Sequence, residues 1–182
     1  MNPLMKDIKK VLLSPDEIGA KVAELGRKIT SDYQNKNLVM ICVLKGAAPF
    51  FTDLFRNVEL PVSCDFIAVS SYGSATSSSG SVCLIKDVDC CIEGMDVIIV
   101  EDIVDTGLTL KYLCETFAER GARSVKTCTL LDKPSRRKAD IAPDYCGFTV
   151  ADEFVVGYGL DFGGKYRNLK EVCVLKEEVY EK

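Results

Sequence analysis

The stretch that most constrains this chain runs from Asp96 to Leu110. Val97 to Val100 are all apolar, the pattern of a strand buried on both faces of a parallel sheet. Glu101 and Asp102 follow at once, then Asp105. Thr106, Gly107 and Thr109 lead into an amphipathic segment. Its apolar positions Leu110, Leu113, Cys114, Phe117 and Ala118 recur at helical spacing until Gly121 supplies a stop. The reading is strand, acidic loop, helix. Open α/β sheets bind ligands at the carboxyl ends of their strands. The N–H groups from Thr106 to Thr109 are therefore expected to point from a helix N-terminus at an anion, with two hydroxyls beside them.

Three carboxylates beside an anion cradle repel the anion unless they face something else. Sugar hydroxyls, a divalent cation or a protonated base nitrogen would accept them. A ligand with a terminal phosphate, a ribose diol and a Mg²⁺-bound leaving group satisfies every part. Helix capping by Asp105 accounts for one acid, but not for three directly after a buried strand.

Composition removes several alternatives. The 182 residues suit one domain with a real core, and the 47% apolar and 27% charged content is that of an ordinary globular protein. There is no His, so Ser-His-Asp, Cys-His and His-ligated zinc chemistries are excluded. Acid–base work falls to carboxylates, Lys or Tyr. A net charge of −4 gives no general field for nucleic acid, and no nucleic-acid partner is expected. Nine cysteines form no C-x-x-C pair; Cys42, Cys128 and Cys173 sit in apolar runs as small hydrophobes. With an odd count and no leader, reduced thiols and a cytoplasmic location are expected, and no stretch approaches a membrane span.

Elsewhere the chain alternates strands and helices. Ser14, Pro15 and Glu17 read as an N-cap, a proline at the first helical position and a capping-box glutamate. Ile18, Val22, Leu25 and Ile29 then mark the buried face of a helix ending near Asn35. Leu38 to Leu44 is an apolar strand that runs into Lys45 and Gly46, followed by a helix from Ala47 to about Arg56. Val62 to Val69 is a further strand. Residues 70–81 hold seven serines, two glycines and one aromatic, Tyr72, a composition that supports no core. The segment reads as a linker or as a lid that closes over substrate. Val82 to Lys86 and Val125 to Leu131 are strands, the latter leading to Lys133. The basic run Ser135 to Lys138 reads as a solvated loop or a subunit contact. Phe148 to Ala151, Phe154 to Val156 and Glu171 to Leu175 are short apolar runs, and Gly157 to Asp161 is a turn.

The segment from Val100 to Leu110 resembles the binding signature for 5-phosphoribosyl pyrophosphate (PRPP) in type I phosphoribosyltransferases. Four further segments resemble the hypoxanthine-guanine branch, in that branch's order: Leu44 to Gly46, Ser70 to Gly73, Leu131 to Arg137, and Asp152 to Asp161. The resemblance implies an α/β type I phosphoribosyltransferase fold, a central parallel sheet flanked by helices. A small hood is expected from the N-terminal residues and about residues 150–182.

The implied reaction transfers ribose 5-phosphate from PRPP to N9 of a 6-oxopurine, hypoxanthine or guanine, releasing pyrophosphate, with Mg²⁺ as cofactor. By resemblance, Glu101 and Asp102 hold the ribose diol and the metal, and Asp105 acts near purine N7 as general base or acid. Thr106, Gly107, Leu108 and Thr109 cradle the phosphate. Lys45, Gly46 and Arg167 meet pyrophosphate, in a loop that commonly carries a cis peptide. Asp161 lies by the purine and positions a second Mg²⁺. Lys133 donates to the 6-oxo group, Phe154 stacks on the base and Val155 offers backbone contacts. Ser71 and Tyr72 in the lid cover the reacting centre. A homodimer or homotetramer is expected. A xanthine-preferring enzyme remains open, as does a regulatory nucleic-acid-binding protein on the same fold. A Rossmann dehydrogenase is disfavoured, because no G-x-G-x-x-G follows a strand.

Overall fold

The computed structural model describes residues 3–71 and 82–180, with only the backbone of Ser71 and Val82. The lid expected over residues 70–81 loses its first two residues to the sheet, because Ser70 and Ser71 close a strand and pair with Cys83 and Val82. Tyr72 and the rest of that segment lie outside the described residues.

The scaffold is a six-stranded sheet in the order β4 (Val82–Lys86), β3 (Ser63–Ser71), β2 (Leu38–Leu44), β5 (Asp96–Val104), β6 (Ser124–Asp132) and β7 (Tyr145–Thr149). All neighbours pair in parallel except β4, which runs antiparallel to β3 at one edge. Strand alternation divides the core. Met40 and Cys42 of β2, with Ile98 and Val100 of β5, face one side. Val39, Ile41, Val97 and Ile99 face the other. The first side is covered by α1 (Pro15–Asp32) and α2 (Ala48–Arg56) through Ile18, Val22, Leu25, Phe50 and Leu54. The second is covered by α3 (Leu108–Glu119) through Leu110, Leu113 and Phe117. A strand buried on both faces must be apolar throughout, which is why β2 and the first half of β5 read as continuous runs.

The capping box at Ser14 forms as expected. The Ser14 N–H donates to Glu17 Oε2 at 2.8 Å, and the Glu17 N–H donates to Ser14 Oγ at 3.3 Å. The helix stops at Asp32, three residues before Asn35. All nine cysteines are free, and Cys42, Cys128 and Cys173 are buried. No described helix is long and apolar enough to cross a membrane.

Two differences from the sequence reading matter for the site. The central strand does not stop at Val100; β5 continues to Val104, because β6 pairs with it through Glu101–Thr129, Ile103–Leu131 and Val104–Asp132. Glu101 and Asp102 are therefore strand residues, and the loop before α3 shortens to Asp105–Gly107. Second, a strand that the sequence does not announce, β1 (Ile8–Leu13), pairs antiparallel with β9 (Val172–Leu175), which pairs in turn with β8 (Val155–Val156). This second sheet joins both ends of the chain. Its core of Ile8, Val156, Tyr166, Leu169, Cys173 and Leu175 is separate from the main one.

Candidate active site

The carboxyl ends of β2, β5 and β6 and the turn after β8 open on one region. Alternation along β5 sends its adjacent carboxylates to opposite sides, not to one loop. Glu101 lines a cavity of about 270 Å³ with Asp105, Thr106, Gly107 and Thr109 at the start of α3. Asp102 turns the other way, against Gly46. A Cβ built on Gly46 would stand 1.6 Å from Asp102 Oδ2, so only glycine lets the loop after β2 lie over this carboxylate. The Leu44–Lys45 peptide in that loop is cis. Lys45 is exposed and Gly46 buried.

Among the described residues, neither strand carboxylate forms an ion pair. Glu101 Oε2 is inaccessible and has no hydrogen-bond partner among the described residues. Burial, with the neighbouring Asp102 charge adding to it, raises the Glu101 carboxyl well above its usual range. Burial likewise pushes Asp102 up to about 6, although the Ile103 N–H and the Arg167 charge oppose it. A buried carboxylate without counter-charge takes up a proton or attracts a cation. The described residues contain no group of three or more Cys, Asp or Glu able to hold a metal alone. Each carboxylate therefore fits an ion that takes most of its ligands from substrate oxygens and water, as Mg²⁺ does.

The cradle at α3 rests on Gly107. It adopts φ +78°, and a Cβ there would meet Arg137 Cδ and Ile141 Cγ2 at 2.8 Å. Gly107 is the N-cap, with no side chain to satisfy the first N–H groups of the helix. Among the described residues only the long 3.4 Å bond from Leu108 N–H to Thr106 Oγ1 engages one of them. Thr106 and Gly107 precede the first helical residue, so the cradle is a turn followed by the helix start. Asp105 is not the helix cap.

The basic run after β6 is not simply solvated. The Lys138 and Ala139 N–H groups donate to Thr106 O at 2.9 and 3.0 Å. Arg137 is largely buried; its Nε donates to Asp105 O at 3.2 Å, and its Nη groups reach Asp132 and Ile141 O. Arg136 Nε lies 3.2 Å from Asp105 Oδ1, and its Nη1 lies 3.3 Å from Asp152 Oδ1. The segment straps the cradle down. The signal for it was thin, since a charge run that folds inward looks like one that does not.

A second cavity of about 210 Å³ is lined by Ile103, Asp105, Lys133, Arg136, Phe154, Val155, Leu160 and Asp161. Lys133 is 6% exposed and donates from Nζ to Glu153 O at 2.6 Å. Burial lowers its ammonium below the ordinary value, while Asp105 and Asp152 act the other way. Ile103 and Leu160 complete the apolar walls. The sequence reading passed over both, because a lone aliphatic residue in a matched segment looks like core. Asp161 Oδ1 pairs with Arg167 Nη2 at 2.6 Å, and Arg167 Nη1 donates to Gly159 O at 2.5 Å. Arg167 and Asp161 thus hold each other, close enough to Asp102 for both charges to bear on it.

An α/β sheet with an anion cradle at one strand end and a lysine-floored cavity walled by Phe154 beside it can seat a phosphorylated group next to a planar one. The chain belongs to the phosphoribosyl transferase family, whose domain matches residues 12–163. It is 56% identical over 175 residues to the hypoxanthine-guanine phosphoribosyltransferase of Bacillus subtilis, covering 96% of this chain and 97% of that protein. It is 54% identical over 179 residues to the one from Streptococcus thermophilus, covering 98% and 99%. A hypoxanthine phosphoribosyltransferase from Staphylococcus aureus superposes with a TM-score of 0.96 at 49% identity over the whole of both chains.

Proposed function

We infer that this protein is a purine-salvage phosphoribosyltransferase. It moves ribose 5-phosphate from PRPP to hypoxanthine or guanine, giving IMP or GMP and pyrophosphate. The observation that carries this reading is that the cradle cavity and the lysine-floored cavity share Asp105 and Ile103. A phosphate seated at Thr106–Thr109 and a base seated on Phe154 then bring the ribose between them, over Asp105.

Breaking the bond from C1′ to pyrophosphate builds positive charge on the ribose and negative charge on the leaving group. Positioning and electrostatics dominate such a step. Asp105 faces the purine imidazole edge and takes or returns its proton. Glu101 and Asp102 approach the ribose and the pyrophosphate from opposite sides of β5. Glu101, Asp102 and Asp161 would hold Mg²⁺, largely through substrate oxygens and water, and the ion would supply positive charge to offset pyrophosphate as it leaves. Lys45, the Gly46 backbone and Arg167 add to that charge, with Asp161 orienting Arg167. Lys133 donates to the 6-oxo group and Val155 meets the base edge through its backbone. The sheet of β1, β8 and β9 forms the hood, within one domain over residues 1–182. Ser71, at the end of β3, leads into residues 72–81, which with Tyr72 would serve as the lid. The nine free thiols suit a reducing cytoplasm, and the assembly is a homodimer or homotetramer.

The test is direct. The protein is incubated with PRPP, Mg²⁺ and one nucleobase at a time, and nucleotide formation is followed. Hypoxanthine and guanine are converted; adenine and uracil are not; EDTA stops turnover and Mg²⁺ restores it. Conversion of adenine at the same rate, or full turnover in metal-free buffer, overturns the assignment.

A further inference from the structure

We propose that Tyr180, near the end of the chain, is a positioning residue for the purine. Its ring stacks on Phe154, with centroids 4.8 Å apart and planes 22° apart. Phe162 packs against the same ring edge-on, at 5.4 Å and 89°. The wall of the base cavity includes Phe154 but neither Phe162 nor Tyr180. Phe154 is therefore backed by two aromatic rings on surfaces that the cavity does not use. This inference rests on the reading of Phe154 as the base platform.

The backing is built into the fold. Leu175 N–H donates to Phe154 O at 2.9 Å, so β9, the central strand of the hood sheet, is in register with the platform. Lys176 N–H donates to Asp7 O at 3.0 Å, and the chain then turns through the short helix α4 (Glu177–Tyr180). Glu177 is paired with Lys9 at 3.1 Å. Val179 and Tyr180 pack on the cluster that includes Ile8, Val156 and Leu175. The final turn is thereby folded back under Phe154.

A planar base gains from stacking only if the ring beneath it already stands in the bound orientation. A phenylalanine free to change rotamer loses that freedom when the base arrives, and binding weakens accordingly. Stacking by Tyr180 and the edge contact from Phe162 remove the freedom beforehand. PRPP, bound at the cradle and at Gly46, does not use this ring. Loss of the backing is thus read in the purine KM and not in the PRPP KM.

The experiment compares Y180A, Y180F, F154A and the double variant Y180A/F154A in steady-state kinetics with hypoxanthine and PRPP. Y180A raises the hypoxanthine KM by about 2- to 10-fold, the range of an aromatic pair, with the PRPP KM unchanged. Y180F keeps the ring and restores the hypoxanthine KM to within about twofold. In the F154A background the second substitution adds nothing, because the platform it supports is gone. If Y180A does not fold, Y180L, which keeps apolar bulk without a ring, carries the same test. A normal hypoxanthine KM in Y180A, an equal rise for PRPP, or an undiminished effect in F154A overturns the proposal. F154A with a normal hypoxanthine KM overturns the platform reading and this inference with it. An impaired F154A beside a normal Y180A overturns this inference alone.

Discussion

Lys133 donates from Nζ to the carbonyl oxygen of Glu153 at 2.6 Å, and Glu153 directly precedes Phe154. The ammonium is thus fixed at the end of the base cavity, with Asp152 Oδ1 3.9 Å away and, among the described residues, donors left over for a ligand. A 6-oxo group accepts from it, whereas a 6-amino group presents another donor to a buried charge. Lys133→Gln supplies an amide that donates or accepts, so discrimination against adenine relaxes by about 10- to 100-fold, with the PRPP KM little changed. Competition between hypoxanthine and adenine measures it. Unchanged adenine rejection moves the choice of base to the backbone near Val155.

Asp105 sits where the two cavities meet, with Arg136 Nε 3.2 Å from its Oδ1. Asp105→Asn keeps the shape and can keep that contact, but removes the carboxylate that exchanges a proton. We expect kcat to fall by about 10²–10⁴ with little change in PRPP binding. Single-turnover kinetics with equilibrium PRPP binding separate the two. Near-normal turnover would place the acid–base role on another group.

How much of this could be read from the sequence depended on whether the signal was local. The cap of α1 was legible because Ser14, Pro15 and Glu17 act within one turn. The ends of β2 were legible because an all-apolar run meets Asn37 on one side and Lys45 on the other. The end of β5 was not. Charge at Glu101 and Asp102 looks like a strand end, yet pairing with β6 carries the strand on to Val104. That partner lies beyond an intervening helix. β1 was invisible for the same reason: Lys9 and Lys10 interrupt its pattern, and its partner β9 is at the far end of the chain. The motifs named residues that line the two cavities, Thr106, Lys133 and Phe154 among them, but not the side of the strand on which each carboxylate emerges.

Asp102 makes stability depend on pH in a direction opposite to a salt-bridged carboxylate. Burial raises its folded-state value from 3.8 to about 6, so between those values the native state holds a proton that the unfolded chain has lost. Stability therefore falls as pH rises through that window, by at most about 1.4 kcal/mol per pH unit from this group. Asp102→Asn carries no titratable carboxyl and loses this dependence. Urea denaturation of both proteins in metal-free buffer from about pH 4 to pH 7 measures it. The wild type declines relative to the variant; parallel curves would show that the native carboxyl is not raised.

The last prediction concerns the contact between the hood turn and the loop after β2. Gly159 has φ +102°, and a Cβ there would stand 1.9 Å from Gly46 O and 2.9 Å from Pro49 Cδ. Gly159→Ala thus combines a disfavoured backbone with a collision against main chain, which cannot swing aside as a flexible side chain can. The strain alone costs about 1–3 kcal/mol, and relieving the collision moves the turn away from Gly46. That turn carries Asp161, and Gly159 O holds Arg167, so the displacement reaches the groups assigned to pyrophosphate. Gly163→Ala is the control: φ is +57°, but nothing lies within 4 Å of the added carbon. Gly159→Ala should lower the melting temperature more than Gly163→Ala and raise the PRPP KM more than the hypoxanthine KM. If the two alanines behave alike, the close approach of Gly159 to Gly46 has no part in holding the pyrophosphate side of the site together.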